Sequence, residues 1–583
     1  MKKKVLLTVM TLSLLITTMA GCGRSVGGTS SDTAPASGAE SSTATASGAD
    51  SGAASTSEAY IGAAEASAED SAKYSEAEAG IAGSREESYL ESLYDYGYDD
   101  YDRTWDFNNE EYSKWEEKGY SSVVKSPLST FSADVDTASY SNLRRLIREG
   151  YGLDELPEGS VRIEEMLNYF SYDYAEPKGS EPFGVTTYIS KCPWNKEAEL
   201  LIMGLKTEEL AYEDAPPANL VFLLDVSGSM KSENKLPLLQ EAFGMLAENL
   251  TEKDRVSIVT YAGEDTIVLN GVSGDNTRKI KKALNGLKAS GGTNGGKGIE
   301  TAYALAQEHF IKGGNNRIIL ATDGDLNLGL TSEKELEELI TEKKESGIFL
   351  SVLGFGTGNI KDNKMELLAD KGNGNYAYID CVGEARKVLV EEMSSTLLTI
   401  CKDVKLQVEF NPAVVSEYRL IGYENRALNR EDFADDTKDA GEIGTGHSIT
   451  VMYELILKEP LSELSSAEIE NLRYSENYKM ELGTADEEKP ARTQEWLTLS
   501  VRYKKPAEEE SRLLQYPVNF DSYLTEPGDD FRFAAAVAEF GLLASHSEYS
   551  EDASLKNVKN ALKKIGLNDE YKMEFRELVE NCG

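Results

Sequence analysis

The most regular pattern in the sequence is a series of short apolar runs that alternate with amphipathic stretches between residues 218 and 401. The apolar runs lie at 220–224, 256–261, 317–321 and 349–353, and the first of them is uninterrupted. Stretches between them, such as 236–250, place apolar residues at helical spacing. Apolar strands flanked by helices are typical of a parallel sheet covered on both faces. The pattern therefore predicts an α/β domain over residues 218–401, with a doubly wound, mostly parallel, Rossmann-like sheet.

Apolar positions alternate with polar ones on either side of this domain. The runs that suggest strands are 404–410, 448–457 and 496–503 after it, and 183–189 and 200–205 before it. They predict flanking strands at 181–217 and a β-rich domain at 402–526. We expect the two parts to combine as a β-sandwich that carries the central domain as an insertion. Helical patterns predict an N-terminal α+β module at 122–180 and C-terminal helices at 527–583.

The first 22 residues have the pattern of an export signal. Three lysines precede an apolar stretch at 5–19, which is shorter than the roughly 20 residues that a membrane span needs. Small residues stand directly before Cys22, as in the bacterial lipobox. Residues 1–21 are therefore predicted to be a lipoprotein signal peptide, and lipidated Cys22 to anchor the chain at the extracytoplasmic face of the cell membrane. A plain signal peptide with an incidental cysteine is the alternative.

Residues 22–121 are predicted to be a disordered tether. Up to about residue 88 they are almost entirely Ser, Ala, Gly, Thr and Glu, which bury too little apolar surface to offset the entropy of ordering. An acidic, tyrosine-rich segment follows at 94–115. This segment is interpreted either as part of the linker or as a docking peptide.

Composition excludes several classes of partner. The 583 residues include 101 acidic and 60 basic side chains, a net charge of −41, so binding to nucleic acid is not expected. A glycine-rich stretch at 291–298 approaches a phosphate-binding loop, but Gly298 stands where serine or threonine is required, so no nucleotide is expected. Four cysteines follow Cys22 at irregular spacing and are expected to be buried free thiols: Cys192, Cys381, Cys401 and Cys582.

Oxygen-bearing side chains follow two of the predicted parallel strands. Asp225, Ser227 and Ser229 come directly after the strand at 220–224, and Asp323 follows the strand at 317–321. Thr293 lies between them in a glycine-rich loop. In open α/β sheets, ligands bind beyond the carboxyl ends of the strands, where the strand order reverses. These side chains could therefore converge at one edge of the sheet.

This set of residues resembles the metal-ion-dependent adhesion site of von Willebrand factor type A domains. The resemblance implies that Ser227 and Ser229 bind the metal directly and that Thr293 binds it directly or through water. It also implies that Asp225 and Asp323 act mainly through bridging water. Oxygen ligands suit a hard cation, so Mg²⁺ is expected, with Mn²⁺ and Ca²⁺ as alternatives. Because neutral hydroxyls dominate this set, a carboxylate from a partner would complete the coordination.

Further motifs resemble the YfbK-like group of bacterial von Willebrand A proteins. They lie at 131–140, 354–359, 408–412 and 420–426, and the resemblance extends from about residue 129 to the C-terminus. Because the biochemical role of that group is poorly defined, the resemblance implies an architecture more than a mechanism.

Together these features predict a non-enzymatic lipoprotein whose metal recognises an acidic group on a protein or cell-envelope partner. The competing hypothesis is an envelope assembly or chaperone-like scaffold in which the metal only holds its loops in place. A hydrolase is a third hypothesis, but the sequence offers no nucleophile and base that can be paired.

Overall fold

The computed structural model describes residues 109–582 except for 134–135, 211–214, 293–295, 325–332, 393–394, 396–397, 459–472, 476–494 and 507. Within this part of the chain the strands are β1 (Ser121–Ser122), β2 (Leu128–Ser132), β3 (Phe183–Lys191), β4 (Ala198–Thr207), β5 (Ala218–Asp225), β6 (Arg255–Tyr261), β7 (Asp265–Ser273), β8 (Asn315–Thr322), β9 (Ile348–Phe355), β10 (Tyr376–Ile379), β11 (Thr399–Phe410), β12 (Val415–Ile421), β13 (Gly441–Gly444), β14 (Ser448–Leu457), β15 (Glu495–Lys504) and β16 (Arg512–Asn519). The α-helices are α1 (Ala138–Arg148), α2 (Ile163–Asn168), α3 (Leu236–Asn249), α4 (Thr277–Leu284), α5 (Gly296–Glu308), α6 (Glu333–Glu345), α7 (Asp362–Lys371), α8 (Val382–Arg386), α9 (Asp529–Ala544), α10 (Leu555–Leu562) and α11 (Glu570–Asn581).

The central domain is built on a sheet of order β10-β9-β8-β5-β6-β7. Its neighbouring strands are parallel except for β6 and β7. The strand order reverses at β5, because β6 pairs with one side of it and β8 with the other. The carboxyl ends of β5 and β8 therefore meet at a topological switch point. The doubly wound, mostly parallel sheet predicted from the sequence is confirmed.

Side chains of β5 alternate between the two faces of this sheet. Leu220, Phe222 and Leu224 belong to the core that α3 and α4 cover, whereas Val221 and Leu223 belong to the core beneath α5, α6 and α7. Every residue of β5 is buried. Burial on both faces explains why this strand is continuously apolar and lacks a period of two.

Two antiparallel sheets pack face to face beside the central domain. One has the order β1-β12-β14-β4-β3, and the other joins β13, β11, β15 and β16, with β2 also paired to β11. Leu201 and Val451 of the first sheet share a core with Leu406 and Val501 of the second. The pairing of β4 with β14 joins strands from before and after the central domain. This pairing is the one that the inserted-domain hypothesis requires.

Helices that lie before β3 and after β16 in the sequence cover the outer face of the first sheet. Helices α1 and α2 share one apolar core with α9, α10 and α11, and Leu200 and Ile202 of β4 contribute to it. Residues 122–180 were predicted as an N-terminal α+β module, but their described helices belong to this shared core. The correction arises because helical periodicity identifies an apolar face and does not show which surface that face contacts.

Two predicted boundaries also change. Strand β11 begins at Thr399 and belongs to the sandwich, so the central domain ends before residue 401. Residues 109–121 were predicted as the end of the tether, but Glu110 accepts a 2.8 Å hydrogen bond from the Gly358 backbone N–H and pairs with Arg145 at 3.0 Å. This polar segment is fixed to the folded domain by ionic contacts with distant residues. The composition of the segment alone could not indicate these contacts. The rest of the predicted tether, the signal peptide and Cys22 lie outside the described residues.

Ion pairs join the central domain to the layers around it. The arginines belong to the layers and the acids to the central domain, and the pairs are Arg144 with Asp380 and Glu384, Arg162 with Asp362, and Arg426 with Asp370. Among the described residues, the two apolar cores of the central domain include only Ala138 from outside it. Charged contacts therefore dominate this interface.

None of the helices in the described ranges has the length and apolar character of a membrane span. The cysteines outside the N-terminal segment are free thiols, as predicted, and three of them are buried: Cys192, Cys401 and Cys582.

Candidate metal centre

Asp225 is the last residue of β5, and the chain turns directly after it. Its Oδ1 atom accepts a 2.8 Å hydrogen bond from the backbone N–H of Ser227. The backbone N–H of Val226 donates to the carbonyl oxygen of Tyr261 on β6 at 3.1 Å. An aspartate that bonds the backbone two residues later stabilises this kind of turn. The turn holds the serines that follow at the carboxyl end of the sheet.

The hydroxyl groups of Ser227 and Ser229 lie side by side, with 2.9 Å between their Oγ atoms. Adjacent oxygen ligands of an octahedral ion, each about 2.1 Å from it, are about 3 Å apart. Ser227 is buried, whereas Ser229 is exposed. Solvent therefore cannot reach the turn at Asp225, which is buried, but can reach it at Ser229.

The end of β8 lies against this turn. The hydroxyl of Thr322 donates to Asp225 Oδ2 at 3.4 Å and accepts a 3.2 Å bond from the backbone N–H of Gly324. The next residue, Asp323, is buried, and its Oδ2 atom lies 2.8 Å from the ammonium nitrogen of Lys235. The structure thus brings Asp323 to the same sheet edge as the Asp225 turn.

The glycine-rich loop that was expected to supply the third part of the site also reaches this edge. The backbone N–H of Gly228 donates to the carbonyl oxygen of Gly291 at 3.1 Å, and that of Ser290 donates to the carbonyl oxygen of Val226 at 2.8 Å. Thr293, the predicted ligand from this loop, lies outside the described residues.

Burial raises the pKa of the Asp225 carboxyl group to about 6. The charge of Asp323 raises this pKa further, whereas the hydrogen bond from Ser227 lowers it. A buried carboxylate whose pKa is raised in this way lacks compensating positive charge. A divalent cation at the turn would supply that charge.

The described donor set fits Mg²⁺. It consists of oxygen atoms only, it combines carboxylates with two adjacent hydroxyls, and its hydroxyl end is open for water or another ligand. Among the described residues, no group of three or more His, Cys, Asp or Glu side chains forms an alternative metal site. Mn²⁺ and Ca²⁺ accept the same type of ligand.

Lys235 and Gly356 complete the site but were not identified from the sequence. Gly356 has φ of +75°, and a Cβ atom placed there would lie 2.3 Å from Lys235 Cε. Because Gly356 has no side chain, the Lys235 side chain can pass beside it and reach Asp323. A lysine directly before an amphipathic helix is usually solvated, so no sequence signal distinguishes this one.

Substitution of Gly356 by alanine is expected to lower the free energy of unfolding by about 2–4 kcal/mol. Strain at positive φ accounts for about 1–2 kcal/mol, and collision with the Lys235 side chain adds to it. Gly358→Ala is the matched control, because Gly358 has φ of +82° but its Cβ would meet nothing within 4 Å. Urea unfolding of both variants measures the difference. Equal losses would show that Lys235 moves aside without cost.

Family models match three consecutive parts of the chain. The first model, described as von Willebrand factor, matches residues 106–202. The second, described as von Willebrand factor type A domain, matches residues 219–389. The third, at residues 395–583, is described as uncharacterized protein YfbK, C-terminal.

Individual proteins match the chain over different lengths. The chain is 41% identical over 478 residues to the uncharacterized protein YfbK of Escherichia coli K12, and the match covers 80% of each chain. It is 31% identical over 148 residues to the human inter-alpha-trypsin inhibitor heavy chain H4, which is 24% of this chain and 16% of that protein. Among solved structures, the von Willebrand factor type A protein of Catenulispora acidiphila aligns with a TM-score of 0.38 and 13% identity, covering 70% of this chain and 91% of that one.

Proposed function

Because this chain belongs to the YfbK family of von Willebrand factor type A proteins, we propose that it is a binding protein whose metal ion recognises an acidic group on its partner. The partner is a protein or another component of the cell envelope that offers a carboxylate. The observation that carries this proposal is the pair of hydroxyls, 2.9 Å apart, beside a buried carboxylate at the switch point of the sheet.

The proposed metal is Mg²⁺, and the residues that would hold it are Ser227, Ser229 and Thr293, with Asp225 and Asp323 acting through water. When bound, the ion supplies a positive charge and a coordination position that an incoming carboxylate can occupy. The exposure of Ser229 supports this role, because a partner can approach that end of the turn. Asp225 orients the turn through its bond to the Ser227 backbone.

We place the protein at the extracytoplasmic face of the cell membrane, where lipidated Cys22 would anchor it. This part of the proposal depends on the lysines, the apolar stretch and the small residues that precede that cysteine. Growth with a labelled fatty acid tests it, and a Cys22→Ser variant should lose the label. Labelling of that variant would contradict the anchor.

We further propose that the protein is not an enzyme, since the sequence offers no nucleophile that can be paired with a base.

An assembly scaffold with a structural metal is a second candidate, and the ion pairs at the domain interface favour it. Arg144, Arg162 and Arg426 hold the central domain against the other layers, as a rigid scaffold would require. In a scaffold of this kind, chelation would lower stability but would leave partner binding intact. In the favoured mechanism, chelation abolishes partner binding.

The double variant Ser227→Ala/Ser229→Ala is expected to bind Mg²⁺ at least about 100-fold more weakly than the unmodified chain. Loss of groups that only orient a metal ligand already costs 10- to 100-fold, and these two side chains are proposed to contact the ion itself. Isothermal titration calorimetry with Mg²⁺ measures the effect. Ser232→Ala is the control, because Ser232 is an exposed serine three residues after Ser229.

The same variants separate the two candidate functions. Capture from envelope extracts should yield the same partner with the unmodified chain and with Ser232→Ala, in both cases only while Mg²⁺ is present. Unchanged capture by the double variant or in the presence of a chelator would overturn the proposed recognition and support the scaffold.

A further inference from the structure

Lys235 is a buried cation within the candidate metal centre. Its side chain is 9% exposed and that of Asp323 is fully buried, and the two charged groups are 2.8 Å apart. A lysine ammonium is rarely buried unless it is paired, because removing it from water is costly. The pair therefore places a positive charge next to a carboxylate that is proposed to face the metal.

The surrounding backbone packs closely around the Lys235–Asp323 pair. Gly356 has no Cβ atom, which leaves space for the lysine stem, and the hydroxyl of Tyr378 donates a 2.6 Å hydrogen bond to the carbonyl oxygen of Gly356. On the other side, Gly324 follows Asp323 directly, and a Cβ there would lie 2.2 Å from the carbonyl oxygen of Asn359. The two loops that hold the pair are thus packed too closely to accept side chains at these glycines.

We propose that Lys235 is an internal counter-cation that weakens metal binding and leaves the loaded site positively charged. This inference rests on the proposed function. When both carboxylates are ionised, Asp225 and Asp323 contribute two negative charges and Lys235 one positive charge, so the part of the site that the structure describes carries −1. A bound Mg²⁺ changes this sum to +1, whereas without the lysine the same loaded part would be neutral.

The extra positive charge serves recognition of an acidic partner. In a partly buried site, a net charge attracts an oppositely charged group more strongly than it does in water. The lysine charge also repels the metal ion and so lowers the metal affinity. In return, the loaded site keeps a net positive charge that attracts the carboxylate of the partner. Lys235 thus acts as a specificity residue that favours carboxylate over neutral ligands.

Calorimetric titration of the mature chain with Mg²⁺ alone tests this inference. Lys235→Met removes the ammonium and keeps an unbranched apolar stem, and we expect it to bind Mg²⁺ about tenfold more tightly, since charge interactions in such sites commonly reach this size. Lys231→Met is the control, because Lys231 is an exposed lysine four residues away, and its affinity should stay within about twofold. Lys235→Gln keeps a hydrogen-bond donor for Asp323 without the charge, and it serves if the methionine variant does not fold.

The direction of the change separates the charge effect from a structural role. A lysine that only positioned Asp323 would weaken Mg²⁺ binding when removed, so weaker or unchanged affinity in the Lys235 variants would overturn the inference. If the unmodified chain binds Mg²⁺ with the same affinity as these variants, the inference alone falls and the proposed function stands. If neither the unmodified chain nor any variant binds Mg²⁺, both fall.

Discussion

Replacement of Asp225 by asparagine should weaken Mg²⁺ binding by about 10- to 100-fold and, with a chelator present, should raise the free energy of unfolding at pH 7 by up to about 3 kcal/mol. The reason is that the carboxyl group is buried, and burial raises its pKa well above the ordinary value for aspartate, to about 6. At pH 7 the ionised Asp225 therefore destabilises the metal-free folded state, whereas a neutral asparagine does not. The amide oxygen of asparagine can still accept the bond from the Ser227 N–H.

The pH dependence of this difference has a definite sign. The folded state binds the Asp225 proton more tightly than the unfolded state, so the unmodified protein gains stability relative to the variant as the pH falls from 7 through 6. The advantage of the variant should be largely lost near pH 4, below which both states are protonated. Urea unfolding at pH 7 and pH 5 measures it, and Asp552→Asn, at an exposed aspartate, is the control. A variant that is less stable than the unmodified protein at pH 7 would show that hydrogen bonding at Asp225 outweighs its burial.

Substitution of Arg144 by methionine should lower the free energy of unfolding by about 3–5 kcal/mol. The guanidinium group is 2% exposed and lies 2.7 Å from Glu384, whose side chain is fully buried, and 3.1 Å from Glu574. It also contacts Asp380 and donates a 3.0 Å hydrogen bond to the hydroxyl of Tyr169. Burial already raises the pKa of Glu384 despite the attraction of Arg144. Loss of the arginine leaves several carboxylates without their buried cation.

Arg148 provides the matched control for this experiment. It lies on the same helix and also pairs with Glu574, but its side chain is 36% exposed. An ion pair of this exposure contributes about 1 kcal/mol or less, so Arg148→Met should change stability little. Urea unfolding followed by tryptophan fluorescence can measure both variants, since Trp194 belongs to the core that α1 shares with the C-terminal helices. Equal effects of the two substitutions would show that water replaces the buried guanidinium at low cost.

The parts of the site that the sequence predicted share one property, which is that they follow apolar strands. Because β5 and β8 are buried on both faces, their apolar runs mark where each strand ends, and the rule for parallel sheets then places Asp225 and Asp323 at one edge. The alternating runs at 183–205 and 448–457 likewise predicted the strands that pair across the insertion.

The features that the sequence did not predict depend on contacts between distant residues. Arg144 meets acids more than 200 positions away, and nothing in the local pattern of α1 distinguishes this arginine from Arg148. Lys235 reaches Asp323 only because Gly356 lacks a side chain. These three residues are far apart in sequence, and the pattern of apolar and polar positions does not indicate that they meet. The shared core of the terminal helices was missed for the same reason.

The pairing of β4 with β14 has a consequence for the order in which the chain can fold. Lys206 is paired with Ser448, so the β3–β4 hairpin must wait for its neighbouring strand β14, which follows the whole central domain in the sequence. The strands that the structure describes in the central sheet all come from residues 218–379, so this sheet can close earlier, because its paired strands are near in sequence. Until β14 is available, one edge of β4 stays unpaired, and an unpaired apolar strand promotes aggregation during that interval.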